Sequence, residues 1–144
     1  MSRLIGINHV ALEVGDIAEA LEWYGQFFEF QLRGRGARMA FIDMGDQFLA
    51  LAATGPHEAD HERHFGLVVD DKEATRAALQ QAGVPVGERG SLDFRDPWGN
   101  QIQVVDYRDI QFMKTTAVLD ALGLTGLDKS AAALRELRDK GIEA

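Results

Sequence analysis

Two stretches of the chain, about fifty residues apart, carry the same signals in the same order, and this repetition constrains the fold more than any other feature. INHVALEVGD aligns with RHFGLVVDD, and DMGDQFLAL aligns with DPWGNQIQV, which sets His9 on His64 and Gly45 on Gly99. Two copies are too few for a solenoid, so they are expected to pair into one sheet system. Within the first copy, Val10, Leu12 and Val14 alternate with Ile7, His9, Ala11 and Glu13, the period of a strand over residues 4–14. Asp16 offers an N-cap with Glu19 three residues on, and Ile17, Ala20, Leu21, Tyr24, Phe27 and Phe28 recur at helical spacing. Residues 29–33, 38–44 and 47–53 read as strands, so the order is βαβββ.

The second copy repeats it. A strand over residues 64–70 leads to Asp71, which caps a helix through Ala82 with Ala74, Ala78 and Leu79 on its buried side, and Gly83 ends it. Strands are expected at 84–88, 91–94 and 101–107. Between the last two lies DPWGN, in which Pro97 presets a turn angle, Gly99 accepts a positive φ, and Asp96 and Asn100 bond back to the backbone. Past that turn Ile102 and Val104 share one face and Gln101, Gln103, Val105 and Tyr107 the other, a polar face suited to lining a cavity.

The closing run D-P-W-G-N-Q-I-Q-V, together with a histidine near the start of each module's opening strand, resembles the vicinal oxygen chelate superfamily, which includes glyoxalase I, extradiol dioxygenases and bleomycin-resistance proteins. The resemblance implies an α+β fold in which two βαβββ modules form a curved mixed sheet around a cavity. The modules span about 4–54 and 62–108 of a 1–108 domain, and 109–144 form a helical C-terminal extension. In that extension Val118, Leu119, Leu122, Ala131, Leu134 and Leu137 predict two short helices, the second capped by Asp128. It is too small to hold a core alone and reads as a structural cap.

Composition narrows the partners. A net charge of −8 repels nucleic acid and anionic membrane, leaving small molecules or protein surfaces. The absence of cysteine excludes disulfides and thiolate ligands and fits a reducing cytoplasm. Neither a signal-type N-terminus nor an apolar run of roughly 18 residues is present. The family's habit implies a homodimer.

The resemblance also implies a site. Where family members use metal, ligands come from the first and last strands of each module, which here gives His9, His64 and Gln103. The remaining position falls on Leu49 by the turn alignment or on Ala50 if the Leu-Ala-Leu run is matched, and neither ligates. Two imidazoles and an amide bring no negative charge to a divalent ion, so true lactoylglutathione lyase or extradiol chemistry is disfavoured. The expectation is metal-assisted lyase or isomerase chemistry on a small oxygen-bearing substrate, the ion being zinc, nickel, manganese or iron. The alternative is a metal-free antibiotic-binding protein of the bleomycin-resistance type. Gln101, Val105, Tyr107, Leu49 and Phe94 are expected to line the cavity, with Trp98 at an exposed hairpin tip. His57-Glu-Ala-Asp-His61 matches the zinc-protease pattern H-E-x-x-H, but it follows Gly55-Pro56 in a connector without an apolar stripe and reads as a solvated turn.

Overall fold

A computed structural model describes residues 1–2, 6–88 and 90–143. By its internal contacts the chain divides into two units, Met1–Ala59 and Asp60–Ala144. Together they give the α+β class expected, with two mixed sheets.

The first unit contains β1 (His9–Val14), α1 (Ile17–Gly25), β2 (Leu32–Arg35), β3 (Met39–Asp43) and β4 (Phe48–Ala53). The sheet order is β1-β4-β3-β2, and β1 pairs with β4 in parallel. The opening strand begins at His9; Leu4 and Ile5, included in the expected strand, lie outside the described residues. Asp16 caps α1 as expected, its carboxylate accepting the Glu19 N–H at 2.9 Å. Leu12, Val14, Leu49, Leu51, Ala40 and Ile42 form a buried layer with Ile17, Ala20 and Tyr24 of the helix. The opposite face carries His9, Ala11, Glu13, Phe48, Ala50 and Ala52, as the period of two requires.

The second unit contains β5 (Phe65–Val69), α2 (Lys72–Gln81), β6 (Leu92–Arg95) and β7 (Gln101–Asp106), with sheet order β5-β7-β6 and β5 parallel to β7. Ile102, Val104, Leu92 and Leu79 are fully buried. Two local expectations are corrected. The segment 84–88 is not a strand: Pro85 has no N–H to give a ladder, and the segment meets β6 through the Gly87 N–H to Asp93 O bond of 2.8 Å. On α2 the buried residues are Thr75 and Leu79, while Ala74 is exposed.

The hairpin turn is built as its residues dictate. Gly99 has φ 85°, and the Asp96 carboxylate accepts from Trp98 N at 3.0 Å, Asn100 N at 2.9 Å and Asn100 Nδ2 at 2.7 Å. Gly45, its counterpart in the first repeat, also has φ 85° and donates to Asp43 Oδ1 at 2.8 Å. Trp98 is half-buried.

After β7 come a 3-10 turn (Tyr107–Asp109), α3 (Thr116–Ala121) and α4 (Ala131–Asp139). Both predicted helices form, but the second is capped by Ser130, whose Oγ accepts from Ala133 N at 3.2 Å, and not by Asp128. Lys129 explains this choice of start. Its ammonium donates to the carbonyls of Tyr107, Ile110 and Phe112 and lies 3.4 Å from the Tyr107 ring centroid. Burial lowers its pKa, opposed by the charges of Asp106 and Asp109. The clasp places Ala133 and Leu137 of α4 in the buried core.

Asp96→Ala leaves three donors of the turn without their acceptor and is expected to cost about 3 kcal/mol in urea unfolding. A second test uses pH. Burial raises the Asp106 carboxyl pKa, but hydrogen bonds from Arg108 and from Lys72 N, with the Arg108 charge, outweigh it and lower the value below the ordinary 3.8. The stability it contributes is therefore present above pH 3.8 and disappears as pH falls through the lower native value. The stability gap between wild type and Asp106→Asn is expected to close over that window.

Candidate functional site

The parallel pairs β1·β4 and β5·β7 fix the site residues on each sheet. In the first unit Ala11 pairs with Ala50, and in the second Gly66 pairs with Gln103. Ala11 and Gly66 each lie two residues beyond a repeat histidine, so Ala50 is the counterpart of Gln103. Leu49 instead pairs with Val10, as Ile102 pairs with Phe65, and stands in the buried layer beneath α1. The span from turn glycine to this position is one residue longer in the first repeat, which is why the turn alignment pointed to Leu49.

His9 donates from Nδ1 to the Asn8 amide oxygen at 2.9 Å and stacks on Phe48 with 4.6 Å between ring centroids. Arg33 lies 4.9 Å from the other partner of that stack, the Phe48 ring, and Phe41 meets the same ring edge-on at 5.6 Å. In the second unit His64 donates from Nδ1 to the Glu62 carbonyl at 2.9 Å. A carbonyl oxygen only accepts, so both rings carry hydrogen on Nδ1, and in the neutral imidazole the lone pair is then on Nε2. That is the form a metal or a ligand donor needs.

Gln103 occupies the polar face away from the core, where it pairs across the strands with Asp93. Its amide donates to Ser91 Oγ at 3.2 Å, and Ser91 in turn donates to the Asp93 carboxylate. This explains the amide locally. A glutamate at position 103 would face Asp93 directly, a like-charge pair that destabilises a sheet. Next along the face, Gln101 Oε1 accepts from Arg95 at 2.8 Å, and Arg95 also donates to the Asp60 and Gly99 carbonyls at 2.5 and 3.1 Å. Pro85, Val86 and Gly87 run beside Asp93, Phe94, Arg95 and Gln101 around a hollow of about 330 Å³. Val105 is half-buried on the Gln103 face, whereas Tyr107 is buried beneath Lys129 and serves the C-terminal clasp.

Thus in the second unit Gln101 and Gln103 share one face of β7, Phe94 belongs to the opposite, buried face beside Ile102 and borders the hollow with Gln101, and the first unit holds His9. The aromatic platform of Phe48, Phe41 and Arg33 and the Ser91–Asp93 chain were missed from sequence. Phe48 shares parity with Ala50, which is the signal that would have found it. Among the described residues no three of His, Cys, Asp and Glu gather as a metal cluster. The H-E-x-x-H segment is not helical, and it straddles the boundary between units. His57 contacts Glu13 at 3.6 Å.

A model of the glyoxalase/bleomycin resistance protein/dioxygenase superfamily matches residues 6–104. The fold is similar to the lactoylglutathione lyase of Agrobacterium tumefaciens, at 22% identity and TM-score 0.59 over 73% of this chain and 96% of that one. A glyoxalase/bleomycin resistance protein/dioxygenase from Alicyclobacillus acidocaldarius matches at 20% identity and TM-score 0.55 over 71% and 91%. A genomically encoded fosfomycin resistance protein of Listeria monocytogenes matches at 13% identity and TM-score 0.60 over 81% and 98%. At these identities the likeness is one of fold.

If Asp93 is what keeps position 103 neutral, Gln103→Glu is expected to lose about 1 kcal/mol in metal-free buffer, and Gln103→Glu with Asp93→Asn to recover it, both read by urea unfolding.

Proposed function

Because the chain belongs to the glyoxalase/bleomycin resistance protein/dioxygenase superfamily, we propose that it binds a small oxygen-bearing molecule and assists lyase or isomerase chemistry on it through a weakly held divalent metal. The observation that carries this reading is the matched state of the two repeat histidines. Each commits Nδ1–H to an oxygen acceptor, which in the neutral ring puts the lone pair on Nε2.

His9, His64 and the Gln103 carbonyl oxygen would hold the ion, and they fit it in donor type. A neutral donor set supplies less attraction than one with carboxylates, so the ion is held loosely. When bound, it would act as a Lewis acid toward adjacent oxygens of the ligand. The chain's own residues do the rest. The Asn8 and Glu62 acceptors fix the imidazole orientations, Ser91 holds the Gln103 amide, and Gln101 with Arg95 offers donors toward a ligand oxygen. A homodimer in the cytoplasm completes the proposal, supported by family habit and by the lack of cysteine.

A second reading, a metal-free antibiotic-binding protein, draws on one specific observation: Ala50 stands where a second closing-strand ligand would be. Metal content separates the two. Protein purified without chelators and dialysed against micromolar zinc or manganese is expected to retain the ion, with His9→Ala and His64→Ala each weakening retention on the order of tenfold or more. Retention unchanged in both variants, or no retention by wild type, removes the metal reading and leaves the binding protein.

A further inference from the structure

The hollow of about 330 Å³ in the second unit lies along the outer edge of β6, and the register of the hairpin dictates what its wall offers. Antiparallel strands turn the main-chain groups of successive residues to opposite sides. Asp93 presents its carbonyl outward, where it accepts from Gly87 N at 2.8 Å, and Asp96 turns inward, its N–H donating to the Asn100 carbonyl at 3.1 Å. Both bonds set the same parity, so Arg95 directs its N–H and C=O outward, away from β7. Were the ladder to continue from Gly87 and Asp93, Pro85 would stand opposite Arg95. Proline has no N–H to give, and among the described residues neither Pro85 nor Val86 bonds to the main chain of β6. The edge of β6 is therefore open at Arg95, with a donor and an acceptor on one residue facing a hollow instead of a strand.

The side chains around the hollow narrow the ligand's charge. Asp93 and Arg95 both border it, and the period of two sets them on one face of β6. Arg95 is held by the carbonyls of Asp60 and Gly99 and by Gln101 Oε1, so its charge stays in place. An anion at this wall is repelled by Asp93 and a cation by Arg95, which favours a neutral molecule. Gln101 also borders the hollow, and with its oxygen taken by Arg95 it keeps amide hydrogens for a ligand oxygen. Pro85 and Val86 supply an apolar wall. The volume is near the lower end for ligand pockets and suits a small molecule.

We propose that this hollow binds a small neutral primary amide with a hydroxyl or carbonyl oxygen on the neighbouring carbon, the class of lactamide. The amide oxygen accepts from Arg95 N–H, the amide N–H donates to the Arg95 carbonyl, and the second oxygen accepts from the Gln101 amide. The pairing replaces the one that Pro85 withholds. This deepens the small-molecule reading above and rests on it, but not on its metal.

The test is a proton–nitrogen-15 correlation spectrum of the full-length chain titrated with lactamide, and with lactate and isopropanolamine at matched ionic strength as its charged counterparts. Lactamide is expected to move the Arg95 N–H signal and to saturate in the roughly millimolar range that a few hydrogen bonds support. Both charged counterparts are expected to bind at least several-fold more weakly. Hydrogen exchange at Arg95 N–H is expected to be fast without ligand, beside a protected Phe94 whose N–H faces β7, and to slow several-fold with lactamide. Pro85→Ala places an N–H opposite the Arg95 carbonyl and is expected to weaken lactamide binding at least several-fold, the same spectrum showing that the variant is folded. An Arg95 N–H that is protected without ligand, that ignores lactamide, or that responds equally to a charged counterpart overturns the proposal, as does unchanged affinity in folded Pro85→Ala. Lactamide shifts confined to residues around His9, His64 or Gln103 would keep the small-molecule reading and remove this one. Zinc added to the same sample reads the metal separately through the His9 and His64 ring signals.

Discussion

The structure depends on one pairing made twice, the first strand of each repeat lying parallel against the last. A parallel pair needs a long connection, and in each unit that connection contains a helix covering one face of the sheet. The helix takes the even-numbered positions of β1 and leaves His9, Ala11 and Glu13 on the other side. In the second unit the same geometry buries Ile102 and Val104 and leaves Gln101 and Gln103 outside the core. The chemistry-bearing side chains are therefore consequences of register. A slip of one residue would exchange them for leucines and valines.

Register also accounts for what the site lacks. Position 103 sits opposite Asp93, and the Ser91 hydroxyl links the two side chains, so an amide there joins a hydrogen-bond chain where a carboxylate would repel. Position 50 is alanine, buried beside Ala11 and Phe41. The donor set proposed above is therefore neutral at both closing positions, an amide at 103 and a methyl group at 50.

Much of the fold was legible because its signals are local. Asp16, Asp71, Gly83 and the DPWGN turn act within a few residues, and the period of two sorts β1 and β7 without knowledge of their neighbours. The misreadings involve interactions across the chain. Val84 to Glu88 has strand-like composition, yet pairing is decided by Pro85 and by what β6 offers. Asp128 resembles a cap, but Lys129 reaches three carbonyls some twenty residues earlier and starts the helix at Ser130 instead. The candidate site was legible only as far as repetition and resemblance extend: alignment matches His9 with His64, and the family resemblance supplies Gln103. The platform under His9, the Gln103–Ser91 bond and the His57–Glu13 contact join residues far apart in the chain, and no spacing rule announces them.

The central proposal is that the two repeats contribute matched imidazoles to one metal-assisted site. A crystal structure of the zinc-soaked protein with anomalous diffraction at the zinc edge tests it most directly. The account predicts one anomalous peak bonded to His9 Nε2 and His64 Nε2, with Gln103 as the third protein ligand. A peak on other residues, or separate peaks on the two histidines, would contradict it.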